Sequence, residues 1–95
     1  MAVISYLLYL LGRIVLTRSA AQALRDAGDS AITYIRKHAR LDQGALCDDD
    51  YKANLWALRN DGRIFSSFVL ASGEKLWVIT EADRSSTCLL LPSDY

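Results

Sequence analysis

Proline, cysteine and histidine are almost missing from this chain of 95 residues, which has one proline, two cysteines and one histidine. A single proline near the end, Pro92, excludes proline-rich linkers and recognition tracts. Two distant cysteines, Cys47 and Cys88, with no Cys-x-x-Cys, exclude a disulfide framework and a zinc ribbon. They are expected as reduced thiols in a cytoplasmic protein, a single long-range disulfide being the alternative in an exported one, with Cys88 in the core of the apolar run Cys88-Leu89-Leu90-Leu91. Surplus charge is also missing. Eleven cations balance eleven anions, which removes the simplest basis for nucleic-acid binding, a surplus of Lys and Arg against phosphate. The five glycines, Gly12, Gly28, Gly44, Gly62 and Gly73, are isolated. They form no phosphate-cradling loop, and each reads as a helix end or turn. The apolar stretch Met1–Gly12 stops at Arg13, short of the roughly 20 residues a membrane span needs, and it lacks the basic flank of a signal peptide. It reads as a buried or interface segment, so the chain is expected to self-associate as a homo-oligomer through residues 1–11 and to have no membrane span.

What is present is enough for one folded domain, 1–95. The apolar share is 52% and the charged share 23%, which argues against disorder. Charge is segregated. Residues 1–41 carry six cations against Asp26 and Asp29, whereas residues 42–61 carry Asp42, Asp48, Asp49, Asp50 and Asp61 against Lys52 and Arg59.

The pattern along the chain predicts helices first and strands second. A helix is expected over about 2 to 11, followed by a short extended piece. Ser19-Ala20-Ala21-Gln22 matches a capping box, and Gly28 closes the helix it opens. Asp29 or Ser30 caps the next helix, with Ile32, Ile35 and Ala39 on one face, Tyr34 and Leu41 beside it, and His38 in a basic last turn that suits the helix dipole. Asp48, Asp49 and Asp50 open a further helix with Tyr51, Leu55 and Leu58 inward and Trp56 at its edge. Strands follow at Arg63–Ala71, Lys75–Glu81 and Thr87–Leu91, and their short connections allow only antiparallel neighbours. The expected fold class is α+β, with N-terminal helices (19–60) packed on a C-terminal three-stranded antiparallel β-meander (63–92).

Several of these stretches resemble a known family. They are Gly12-Arg13-Ile14-Val15, His38 with Asp42 and Gly44, the Asp run before Asn54 and Leu58, Gly62-Arg63-Ile64, and above all Trp77-Val78-Ile79-Thr80-Glu81-Ala82-Asp83-Arg84-Ser85 with Thr87 and Leu90-Leu91-Pro92. The family is a set of small uncharacterised "plasmid-related" proteins of bacterial plasmids and integrative conjugative elements. The resemblance covers about residues 12–95 and departs at Gln43, where the family often has Trp. It implies a bacterial mobile genetic element and a cytoplasmic home, and no activity.

Two functional readings follow. The first is a small non-enzymatic protein-binding or regulatory protein, an inhibitor of a host or defence protein. Its anchors would be Tyr6, Tyr9, Trp56, Trp77 and Tyr95, its acidic face Asp48, Asp49 and Asp50, and its hairpin-tip contacts Asp83 and Arg84. The alternative is a ribonuclease-like toxin with a metal-free site, in which His38 and Glu81 serve as general acid and base and Arg84 or Arg63 as the cation. A structural reading stands beside each: a capped basic helix end for His38, and a turn in which Glu81 pairs with Arg84 and Asp83 bonds backbone. Cys47 with the Asp run has no metal-ligand spacing, so neither metal nor cofactor is expected.

Overall fold

The computed structural model describes residues 11–42, 48–60 and 62–95, with the side chains of 48–51 outside that description. The expected helix over 2 to 11, Tyr6, Tyr9, Cys47 and the side chains of Asp48, Asp49 and Asp50 therefore lie outside the described residues. Along the chain run β1 (Arg13–Leu16), α1 (Arg18–Ala27), α2 (Ala31–Ala39), α3 (Asp48–Asn60), β2 (Ile64–Val69), β3 (Lys75–Thr80), β4 (Ser86–Leu90) and a 3₁₀ turn at Pro92–Asp94. Among the described residues, no helix is long and apolar enough to cross a membrane.

The α+β class holds, but the sheet is not the expected three-stranded antiparallel meander alone: β2, β3 and β4 pair antiparallel, and a fourth strand is added. The sheet has four strands in the order β1-β4-β3-β2, and β1 joins it parallel to β4, in the register Arg13 with Ser86 through Leu16 with Leu89. A parallel neighbour needs a long crossover, which everything from α1 to β3 supplies. Gly12 makes the docking possible. Its φ is 65°, and a Cβ there would collide with the backbone of Arg84 and Ser85. The chain thus passes against the β3–β4 tip, Arg13 N–H donates to Ser85 O at 3.0 Å, and Thr17 N–H donates to Leu89 O at 3.0 Å.

The helix ends show which local signals carry weight. Thr17, rather than Ser19, caps α1, since its side chain accepts from Ala20 N–H. Ser19 Oγ instead donates to Asp94, at 2.5 and 2.7 Å to its two oxygens, and Thr17 Oγ1 donates to the same carboxylate at 2.7 Å. These bonds hold the Asp94 carboxyl below its ordinary pKa and tie the last turn to the start of α1. At the other end Gly28 N–H donates to Arg25 O and Asp29 N–H to Leu24 O, a Schellman closure with glycine at φ 69°. The same closure ends α2, from Leu41 N–H to His38 O and Asp42 N–H to Lys37 O, but with Leu41 at φ 56°. A left-handed leucine is disfavoured. Burial offsets that cost here, because the Leu41 side chain packs with Ala57 and Ile64.

Strand alternation sorts the sheet into two sides. Ile64, Ser66, Phe68, Leu76, Val78, Thr80, Thr87 and Leu89 face the helices and are buried. Of these, Phe68, Leu76, Val78 and Leu89 form the main core with Ala20, Ala23, Leu24 and Tyr34. Tyr34 packs on Phe68 at 5.2 Å between ring centroids and donates its hydroxyl hydrogen to Asp29 Oδ2 at 3.0 Å. The α2 face differs from the expected one. Tyr34, His38 and Ala39 are buried and Ile35 packs against the core, but Ile32 is exposed. In α3, among the described side chains, Asn54 and Ala57 are buried, Leu55 and Leu58 are half-buried and Trp56 is exposed, while Tyr51 lies outside the described side chains. Asn54 spans the outer edge of β2. Its amide nitrogen donates to Phe65 O at 2.6 Å and its oxygen accepts from Phe65 N–H at 2.9 Å, so one residue supplies a rung that a neighbouring strand would otherwise make.

Candidate functional site

Two groups of polar residues among those described lie on opposite sides of the sheet. On the helix side, His38 projects from α2 with no solvent exposure. Its Nδ1 lies 2.7 Å from Ser66 Oγ of β2 and its Nε2 lies 2.8 Å from Thr80 Oγ1 of β3. Thr80 Oγ1 is 2.6 Å from Thr87 Oγ1 of β4, and the Thr87 hydroxyl donates to Leu11 O at 2.7 Å. The last bond sets the direction of the others, because each hydroxyl has one hydrogen. Thr87 spends its hydrogen on Leu11, so Thr80 must donate to Thr87. Nε2–H must then donate to Thr80, and the Ser66 hydroxyl donates to a bare Nδ1. The ring is the neutral Nε2–H tautomer in a one-way chain. Burial holds its pKa down at about 4, so it is uncharged at neutral pH.

The β3–β4 tip is an anchor. Arg84, at φ 60°, sends its guanidinium to backbone carbonyls: Gly62 O at 2.6 Å, Glu81 O at 3.1 Å, Ala82 O at 3.2 Å and Ala57 O at 3.2 Å. Ala57 lies in the last turn of α3, where a cation suits the negative end of the helix. Asp83 Oδ1 accepts from Ser85 N–H at 3.0 Å, the expected turn bond, and the Ser85 contacts hold the Asp83 carboxyl below its ordinary pKa. The expected Glu81–Arg84 pair is replaced. Among the described residues, Glu81 pairs with Arg63, Oε1 to Nε 3.9 Å, with both side chains about half exposed (48% and 47%).

That pair opens the second cluster, on the side that the described helices leave uncovered. Arg63 Nη1 donates to Tyr95 Oη at 3.2 Å, and the guanidinium carbon sits 5.9 Å from the Tyr95 ring centre. Tyr95 meets Trp77 edge-on at 5.8 Å, and Trp77 meets Phe65 edge-on at 5.2 Å. Arg63, Phe65, Trp77, Ile79 and Tyr95 line an open concavity of about 330 Å³. Tyr95 is held over the sheet by the turn whose Asp94 is tied to α1.

Sequence candidates are thus dispersed. Trp77 belongs to the open concavity, while Trp56 stands on α3 and is 62% exposed. Thr80 links to His38 on the helix side, and Glu81, the next residue, pairs on the open side. His38, Glu81 and Arg84 are therefore not gathered around one accessible point. Cys88 is half-buried on the open side rather than in the core, and burial, then Asp94 and Glu81, push its thiol pKa up. No cluster of three metal-ligand side chains occurs among the described residues.

Arg63 and Tyr95 were missed as a pair, because no local signal joins residues 32 positions apart. The His38 chain had a readable sign. Ser66, Thr80 and Thr87 are hydroxyls at inward positions of otherwise apolar strands, and such groups require a buried partner. Comparison of the chain with protein-family models, curated proteins and solved structures returns no match.

Proposed function

We propose that the chain is a small non-enzymatic protein-binding protein that engages its partner through the open side of the sheet. The observation that carries this reading is the concavity lined by Arg63, Phe65, Trp77, Ile79 and Tyr95. Aromatic residues and arginine dominate the centres of protein interfaces, because they offer large, stiff contact area beside a charged donor. Half-exposed Arg63 and Glu81 supply the polar rim. A binding role also suits the state of the lone histidine, which is buried, neutral and bonded at both ring nitrogens. A general acid must instead reach its substrate. The resemblance at Gly62-Arg63-Ile64 and Trp77–Pro92 supports a bacterial mobile-element setting, in which inhibition of a host or defence protein in the cytoplasm is the role proposed.

The test is affinity capture from a bacterial host extract, with the intact protein and with Tyr95→Ala. Tyr95 is 74% exposed, so its loss should leave the far-ultraviolet dichroism unchanged. A discrete protein retained by the intact chain and lost with Tyr95→Ala is expected. Identical retention by both, or RNA cleavage by the purified protein that Glu81→Gln abolishes, would overturn the reading.

A further inference from the structure

The two edges of the sheet are finished differently. At β2, α3 flanks the edge and Asn54 takes both backbone groups of Phe65. At β1 nothing comparable is present among the described residues. Arg13 and Thr17 donate inward to β4, so strand alternation turns the N–H and C=O of Ile14 and Leu16 outward. Neither residue has a partner for those groups among the described residues. The side chains along this edge are apolar and exposed: Ile14 40%, Val15 42% and Leu16 37%. An unguarded apolar edge is a template for another strand.

We infer that β1 pairs antiparallel with β1 of a second copy of this chain, on a two-fold axis through Val15, joining two sheets into one. The edge is complementary to itself in that register. Ile14 faces Leu16 of the other copy and Leu16 faces its Ile14. All four outward N–H groups thereby meet outward carbonyls, two at each pair. Centring on Ile14 would bring in Gly12, which is bent at φ 65°, and centring on Leu16 would bring in Arg18, already in α1. Neither alternative completes both pairs. The charges agree as well. With Val15 on the axis, Arg13 faces Thr17 rather than the other Arg13, and no like charges meet. This contact is separate from the aromatic concavity, and a self-complementary patch of this kind is what a two-fold dimer requires.

Sedimentation of the full chain over a concentration series tests the pairing. A dimer of the 10.6 kDa chain is expected. Ile14→Pro removes only an outward N–H, so β1 keeps its bonds to β4. Two lost bonds per dimer should weaken association by about tenfold or more. Val15→Lys sets two like charges on the axis and should do the same. The register has its own readout. Val15 also pairs with Cys88 within the chain, so both native cysteines are first replaced by serine. In that background Val15→Cys should cross-link two chains on mild oxidation, because directly opposed residues bring their Cβ atoms within disulfide range. A monomer at every concentration, or a dimer that Ile14→Pro and Val15→Lys both leave intact and Val15→Cys does not cross-link, would overturn the inference.

Discussion

The helix side of the sheet encloses His38, Ser66, Thr80 and Thr87 at 0% exposure, whereas the open side leaves Arg63 and Glu81 about half exposed beside three aromatic rings. Both clusters join distant parts of the chain. The first ties α2 to β2, β3, β4 and Leu11, and the second ties β2 and β3 to Tyr95. They differ in what water can replace. A buried hydroxyl that loses its partner has no substitute, so its full desolvation cost appears. An exposed arginine that loses a partner is resolvated, so little is lost. The helix side is therefore suited to holding the fold, and the open side can spend its contacts on a partner.

The most direct way to break this contrast is His38→Leu. The substitution keeps an apolar body of similar size but leaves Ser66 and Thr80 without their ring partners. The Ser66 hydroxyl is left unsatisfied, whereas Thr80 loses one accepted bond and keeps its bond to Thr87, which together should cost about 3 kcal/mol, a large fraction of the roughly 5–15 kcal/mol that holds a domain of this size. Urea denaturation measures it. A loss under about 1 kcal/mol would mean that the chain of hydroxyls is dispensable.

Acid sharpens the same point with no substitution. The unfolded imidazole takes up a proton near pH 6.5 and the folded one only near 4. Between these values the unfolded chain binds more protons, so stability is full above pH 6.5 and falls as pH is lowered towards 4. Integrated across the window from 6.5 to about 4, the shift amounts to about 3 kcal/mol. The depressed carboxyls of Asp83 and Asp94 act lower, below their ordinary value of 3.8. They contribute stability that is present above that value and lost as pH falls through their folded pKa. The two windows are separable. Denaturation midpoints followed from pH 7 to 4 should slope in the intact protein and be nearly flat in His38→Leu.

The parts of this structure that the sequence announced are those set by near neighbours. Gly28 closing α1, the start of α3 at Asp48, and the strands around Phe68, Val78 and Leu89 all follow from spacing within a few residues. β1 was hidden because its pairing is decided by Gly12 against Arg84 and Ser85, more than seventy positions away. Local patterning only marked Arg13–Leu16 as extended. The α1 cap moved from Ser19 to Thr17 for a related reason. Both residues cap well and both hydroxyls donate to Asp94, but only the Thr17 oxygen also accepts from Ala20 N–H. Arg84 was visible as unusual in a turn, yet its partners, the carbonyls of Ala57 and Gly62, carry no side-chain signature.

The smallest expected effect lies on the open side and tests the contrast from that end. Arg63→Ala removes a long ion pair at 3.9 Å and one bond to Tyr95 at 3.2 Å, all at the surface. Stability should change by less than about 1 kcal/mol. The position of Tyr95 should change more, because the guanidinium both donates to its hydroxyl and lies against its ring. Tyr95 meets Trp77 edge-on, so near-ultraviolet dichroism should weaken while the far-ultraviolet spectrum and the urea midpoint hold. A midpoint loss as large as that of His38→Leu would erase the distinction drawn between the two sides. Arg63 would then be structural, and the open concavity would be held together by the same kind of contact as the core.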